Sequence, residues 1–307
     1  FTGSTTVFKH LWSTIGSRAT FGIAALELAK KIDNLMVLTC DVSTSAGLDR
    51  YRKTFPEKYL DLGIAEQNMI GVAAGLSSEG FNVITTTFAP FQTIRCCEQI
   101  KVNIGYMKQK VCMVGIGSGL ALGTLGYTHC CIEDIGVLRS IPEINIISPA
   151  DSLETVKALE AAVKSNNSTY IRLTGASNNP IVYEKDYDFE IGKAKTLKEG
   201  KDITIFCSGS MVHNSLEAAK ILEDKKISVK VINMHTIKPI DKKAIDESIG
   251  TKLIVSVEEH NVIGGLGSAI AEYKSKLPSA PRQLFIGVND VYSLSLIHIS
   301  EPTRLHG

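Results

Sequence analysis

Short apolar runs of four to six residues recur along the chain, separated by longer segments whose apolar residues fall at helical spacing. A strand apolar at nearly every position is buried on both faces, which is the situation of a parallel sheet covered by helices. Leu35–Cys40, Val83–Thr87, Val111–Gly115, Asn145–Ile147 and Tyr170–Leu173 read as such strands. Between them, helices are expected over about Arg18–Lys31, Ala65–Glu79, Pro90–Lys108 and Ser152–Lys164. Gly80 is the left-handed stop of the second, and Pro90 opens the third. The periodicity lapses between Thr174 and Gly200 in favour of Asn, Gly, Lys and Asp. It resumes with strands at Ile203–Cys207, Val229–Asn233, Leu253–Val257 and Leu284–Ile286, and helices near Val212–Leu222, Lys242–Ile249 and Gly265–Lys276. The fold class is therefore α/β, with two domains that are each a mostly parallel sheet covered by helices: 1–175, a linker over 176–200, and 201–293.

Composition narrows the function classes. The 33 Lys and Arg nearly cancel the 32 Asp and Glu, so no bulk field exists to hold nucleic acid or an anionic membrane. No apolar run approaches the ~18 residues of a membrane span. Seven cysteines without framework spacing fit free thiols in a cytoplasmic protein. Nothing at Phe1 reads as a signal peptide, and because the first methionine is Met36 the natural start is expected upstream. The stretch 294–307 follows no earlier pattern and resembles a translated adapter, so it is set aside as an artefactual tail.

Several positions could carry chemistry. Asp61-Leu-Gly-Ile-Ala-Glu66-Gln67-Asn68-Met69 puts a carboxylate in the first turn of an otherwise apolar helix, either as a surface residue favoured by the dipole or as a buried acid held for one hydrogen bond. Phe88 and Phe91 stand at a strand-to-helix junction, where open α/β sheets place ligands, and could equally be core. Arg95, Glu98 and Gln99 follow on what reads as a solvated or ion-paired face. Gly115-Ile-Gly117-Ser-Gly119 has the look of a phosphate cradle without the full dinucleotide fingerprint. Beyond it come Thr128-His129-Cys130-Cys131; a zinc site there is disfavoured by the adjacent cysteines, and no metal site is assigned. A Cys/His nucleophile pair is no better supported. Glu258-Glu259-His260 precedes Gly264-Gly265-Leu266-Gly267, with His260 read as an interface or core residue.

Taken in order, Gly63-Ile-Ala-Glu66-Gln67-Asn68, Thr87-Phe88-x-x-Phe91, Thr128-His129, Ser148-Pro149-Ala150-Asp151 and Glu258-Glu259-His260 with its glycines resemble the carboxyl-terminal half of the transketolase family, which includes 1-deoxyxylulose-5-phosphate synthase. The resemblance covers roughly residues 17 to 290. It implies a pyrimidine-binding domain followed by a smaller carboxyl-terminal domain, and use of thiamine diphosphate with Mg2+. Glu66 matches the glutamate that hydrogen-bonds a ring nitrogen of the cofactor's aminopyrimidine. A proton shared there favours the tautomer whose exocyclic nitrogen takes the thiazolium proton, and the cofactor then carries the hard chemistry. Phe88 and Phe91 match the aromatic pocket around that ring. His129 matches a histidine that contacts substrate or relays protons, and Arg18 an arginine that holds a sugar phosphate.

Two departures qualify the resemblance. The Gly-Asp-Gly…Asn motif that binds diphosphate and metal is not in this sequence, so the chain is expected to work with an amino-terminal diphosphate-binding domain or subunit, as a dimer or heterotetramer. In the substrate pocket, Leu125 replaces an acidic residue, Gly117 stands where a histidine is frequent, and only Arg172 lies near the place of a second phosphate-binding arginine. Transfer of a two-carbon ketol unit between carbonyl compounds, on a non-standard substrate, is the leading expectation. The alternatives are the beta subunit of a 2-oxo acid dehydrogenase thiamine component, a 1-deoxyxylulose-5-phosphate synthase-like enzyme, or a non-catalytic partner subunit.

Overall fold

The structure, a computed structural model, describes residues 5–174 and 178–292, without side chains for 5–10. The adapter-like stretch 294–307 lies outside the described residues, as does Gly175. In chain order the first half contains α1 (Thr5–Ala29), β1 (Leu35–Thr39), α2 (Asp49–Thr54), β2 (Tyr59–Asp61), α3 (Glu66–Ser78), β3 (Asn82–Phe88), α4 (Ala89–Gln92), α5 (Cys97–Gln99), β4 (Val111–Ser118), α6 (Asp134–Arg139), β5 (Ile144–Ile147), α7 (Ser152–Lys164) and β6 (Ser168–Thr174). The second contains β7 (Lys195–Lys198), β8 (Ile203–Cys207), α8 (Met211–Asp224), β9 (Val229–Asn233), β10 (Thr236–Lys238), α9 (Lys242–Asp246), β11 (Leu253–Asn261), α10 (Leu266–Lys274) and β12 (Arg282–Val288).

Two mostly parallel sheets result, ordered β10-β5-β6-β4-β3-β1-β2 and β12-β11-β8-β9-β7. The antiparallel members are the edges: β10, a strand from the second half that pairs with β5, and β7, which pairs with β9 inside the stretch where periodicity lapses. Three-residue β2 and β10 and four-residue β7 are too short for a pattern to show. β4 is buried along its whole length at the centre of its sheet, which is why it reads as an unbroken apolar run. Helices α1 and α7 cover one face of the first sheet, with Phe21, Leu28, Leu153 and Leu159 in that core. Helix α3 covers the other, where Met69, Ile70 and Ala73 meet Val83 and Met113. That second core continues through Phe206, Ile232 and Ile254, so the two sheets share it.

Helix ends follow local chemistry. Gly80 (φ 87°) stops α3 with its own N–H on Ser77 O and the Phe81 N–H on Leu76 O. Asp151 caps α7 by accepting the Glu154 N–H at 2.9 Å, and Glu154 accepts the Ala150 N–H at 2.6 Å. Helix α1 starts earlier than its pattern suggests, across a kink at Gly16 (φ 82°). The long helix expected over Pro90–Lys108 is instead three pieces: α4, α5 and a π-helical stretch, Ile100–Tyr106. At the breaks the Thr93 hydroxyl joins the Thr93 N–H on Ala89 O, at 2.7 and 3.0 Å, and the Cys96 thiol donates to Phe91 O at 3.1 Å.

Candidate active site

From β1 the chain passes outward to β2 and then returns across β1 to β3 on the other side. The first crossover carries α2, which packs beside α1; the second carries α3 on the opposite face. This reversal opens a crevice at the carboxyl ends of β1 and β3, the place where an open α/β sheet binds ligands. The residues singled out in the sequence collect around it. Asp61 ties its floor together, accepting the N–H groups of Asp41 (2.9 Å) and Gly63 (3.0 Å) and the Thr39 hydroxyl (3.1 Å). Burial alone would raise its pKa; those hydrogen bonds outweigh it and hold the carboxyl below its ordinary range.

Gly63 (φ 66°) turns the chain from that anchor into α3, and Glu66 opens the helix as a buried residue, 3% exposed. The Arg95 guanidinium donates to Glu66 Oε2 at 2.8 Å, while Oε1 accepts nothing from the described residues. Arg95 also lies over the Phe91 ring, 3.9 Å from its centroid. Phe91 meets Phe88 edge-on at 6.3 Å, and the His129 ring stands 5.5 Å from Phe91 and 6.3 Å from Phe88. His129 Nδ1 shares a hydrogen bond of 2.9 Å with the Thr128 hydroxyl. An open cleft of about 570 Å³ runs along Phe91, Arg95, Tyr127, Thr128 and Tyr292. Glu66 at the start of α3, Phe88 and Phe91 at the β3–α4 junction and His129 in the loop after β4 are thus joined, through Arg95, in one cluster.

Arg95, expected on a solvated or ion-paired face, is indeed ion-paired, and its partner is the site residue Glu66. Its signal is spacing: four residues after Phe91, it faces the same ring once the helix breaks at Thr93. A planar ring bearing N–H donors fits this place, because the guanidinium there already stacks on Phe91 and donates to Glu66. Aminopyrimidine offers the same two contacts, with Glu66 Oε1 left over for a ring nitrogen. The donor set therefore fits the ring end of thiamine diphosphate. Among the described residues no group of three or more His, Cys, Asp or Glu is arranged to hold a metal ion.

Other expectations resolve differently. The glycines of the cradle-like stretch have packing reasons. Gly115 lies inside β4 beneath Tyr170, whose hydroxyl would be 2.4 Å from a Cβ there. Gly117 (φ 62°) faces Leu122 and Phe88, and Gly119 (φ 67°) abuts the Glu259 carboxylate. Cys112 and Cys131 are buried, and desolvation raises both thiols, Cys112 to about 12, which leaves neither ionised as a nucleophile needs. Arg172 is sealed inside, its Nε on both oxygens of Asp134 at 3.0 and 2.9 Å, and cannot reach a phosphate. His260 is fully buried, in keeping with its interface reading: its Nδ1 is 2.7 Å from Asn261 O, and Nε2 accepts the Gly136 N–H at 3.3 Å. Arg18 is half-buried on α1, and its guanidinium has no ion pair or hydrogen bond among the described residues.

Comparison with known proteins agrees with this layout. The transketolase pyrimidine-binding domain matches residues 13–178, and the transketolase C-terminal domain matches 192–295. The B subunit of the apulose-4-phosphate transketolase of Phocaeicola vulgatus is 37% identical over 90% of this chain and 88% of its own. A 6-deoxy-6-sulfo-D-fructose transketolase subunit of a Clostridium species is 36% identical over 90% and 85%. A solved split-gene transketolase, described as an inactive beta4 tetramer, superposes with a TM-score of 0.83 at 40% identity over 90% of each chain. These relatives favour neither the dehydrogenase nor the non-catalytic alternative. With both family domains in order and separate transketolase subunits of matching length among its relatives, the chain belongs to the transketolase family of transferases, as a carboxyl-terminal subunit.

Proposed function

We propose that this chain supplies the pyrimidine-binding half of a split transketolase that moves a two-carbon ketol unit between carbonyl compounds. The observation that carries the reading is buried Glu66 with an open Oε1, linked to the Phe91 ring through the Arg95 guanidinium that touches both. Thiamine diphosphate, when bound, supplies the carbanion chemistry of carbon–carbon cleavage and formation. Glu66 holds the proton shared with a ring nitrogen, and its burial strengthens that hydrogen bond. Phe88 and Phe91 orient the ring. His129, next to Thr128 on the cleft wall, moves protons at the substrate's oxygens. Arg18 is a cation without a partner among the described residues, suited to an anionic tail such as the phosphate named for the Phocaeicola relative. Leu122 fills the space beside Gly117, and Leu125 is exposed, so the pocket offers fewer polar groups to sugar hydroxyls; this supports a non-standard ketose.

The diphosphate and Mg2+ fall to an amino-terminal partner subunit in the cytoplasm, in a dimer or heterotetramer. Exposed Ile64, just ahead of Glu66, and exposed Ile94, beside Arg95, give that partner apolar contacts at the edge of the site. The test is reconstitution with the diphosphate-binding subunit, cofactor, Mg2+, a panel of ketose donors and labelled aldehyde acceptors. The expected result is an acceptor lengthened by two carbons, read by mass spectrometry. Release of CO2 from a 2-oxo acid, with no ketose consumed, would overturn the reading.

A further inference from the structure

Three adjacent residues of β11 face three different tasks. Glu258 caps α10, accepting the N–H groups of Leu266 (2.6 Å) and Gly267 (2.8 Å). His260 is locked against Gly136. Glu259 bridges to the other domain: its Oε1 accepts the Leu120 N–H at 2.7 Å, while its Oε2 stays within its own domain and accepts the Ser210 hydroxyl. Gly119 sits so close that a Cβ there would lie 2.7 Å from the carboxylate.

Leu120 begins the excursion that leaves β4, turns at Gly126 (φ 76°) and delivers His129 to Phe91. Its neck is closed by two backbone hydrogen bonds between Gly119 and Cys131, at 2.8 and 2.9 Å. The other side of that neck is tied to the same residue: Arg172 Nη2 donates to Cys131 O at 3.1 Å and to Glu259 O at 2.7 Å. Glu259 therefore holds one side of the neck directly through its carboxylate and meets the other side through Arg172, which donates to its main-chain carbonyl. A loop hinged at its neck transmits any rotation there to its tip, and misplacement by about 1 Å at a reacting centre can cost ~100-fold.

We propose that Glu259 is a positioning residue that sets where His129 stands in the substrate cleft, so that the carboxyl-terminal domain takes part in substrate handling through the 119–131 loop. This rests on the assignment of His129 to the substrate. The first test needs no cofactor: hydrogen exchange of the full chain on its own. Glu259→Ala should speed amide exchange across 120–130 by about tenfold, the scale of one lost hydrogen bond. Glu259→Gln, which keeps an acceptor for Leu120 N–H, should restore protection. Unchanged exchange in Glu259→Ala would overturn the clamp. In the reconstituted enzyme, Glu259→Ala should raise the substrate KM about tenfold with cofactor affinity unchanged, and should add nothing in a His129→Ala background. An equal loss in both backgrounds would overturn the coupling. Unaltered kinetics in His129→Ala would instead remove the assignment beneath it, and the exchange data report the clamp separately.

Discussion

Two long-range arginine–carboxylate pairs lie in the first domain, and they differ in how much of each group is spoken for. In the Glu66–Arg95 pair, at 2.8 Å, the carboxylate is buried while the arginine is 41% exposed, and one carboxylate oxygen stays open. In the Asp134–Arg172 pair both side chains are sealed, at 0% and 2%. Arg172 Nε reaches both Asp134 oxygens, the Tyr170 hydroxyl donates to one of them at 2.7 Å, and Arg172 Nη2 holds two carbonyls. A buried ion pair whose two carboxylate oxygens are both taken, and whose arginine also holds two carbonyls, joins what it touches, here the first domain to β11. A buried carboxylate with a free oxygen beside an aromatic face can bind and activate. Saturation, not residue type, separates the strut from the site.

That contrast breaks most sharply through stability. Asp134→Ala leaves Arg172 buried without a counter-charge and should cost about 3–5 kcal/mol in denaturant unfolding of the chain. Glu66→Ala should cost under about 1 kcal/mol, because Arg95 is already half in water. A small loss for Asp134→Ala would erase the distinction. Turnover is expected to invert the order. Glu66→Ala in the reconstituted enzyme should lower kcat by at least ~100-fold, on the scale of a positioned acid–base group. Near-normal turnover would take Glu66 out of the reaction.

The same distinction explains how far the amino-acid pattern alone can reach. The buried strands of both sheets and the α3 stop at Gly80 follow from local composition, since burial on two faces and a left-handed cap each demand particular residues nearby. Local pattern leaves Glu66 open between a surface residue and a buried acid, and Phe88 and Phe91 open between ligand pocket and core; the family resemblance is what singles them out together with His129. Arg95 reads as part of a solvated or ion-paired face, and it is ion-paired; the local pattern does not give its partner, because Glu66 lies 29 residues away. That Arg172, merely near the place of a second phosphate-binding arginine, is instead a sealed strut is not visible locally, because its partner Asp134 is 38 residues away in sequence. Long-range pairing decides whether a valence is open, and no local pattern records it. The glycines of the cradle-like stretch likewise answer to residues distant in the chain, Gly115 to Tyr170 and Gly119 to Glu259.

The smallest expected effect concerns the seam's titration. Burial, chiefly, pushes the His260 pKa down from 6.5 to about 4; Asp134 nearby pulls it up and Arg172 adds to the depression. A histidine depressed on folding stabilises the fold above its unfolded pKa and loses that contribution as pH falls. From about pH 7 to about 5.5 the unfolded chain takes up a proton at this site that the folded chain refuses, which amounts to about 1 kcal/mol. Buried His235, also lowered to about 4, adds a similar loss. Asp151 acts in the opposite sense: burial raises it from 3.8 to about 6, so the folded state gains relative stability as pH falls through that window. His260→Asn should therefore lose about 1 kcal/mol less than the parent chain over that range, measured by urea unfolding at each pH. Parallel pH profiles for the two proteins would mean that the imidazole reaches water, and that the seam is less closed than the Asp134–Arg172 geometry requires.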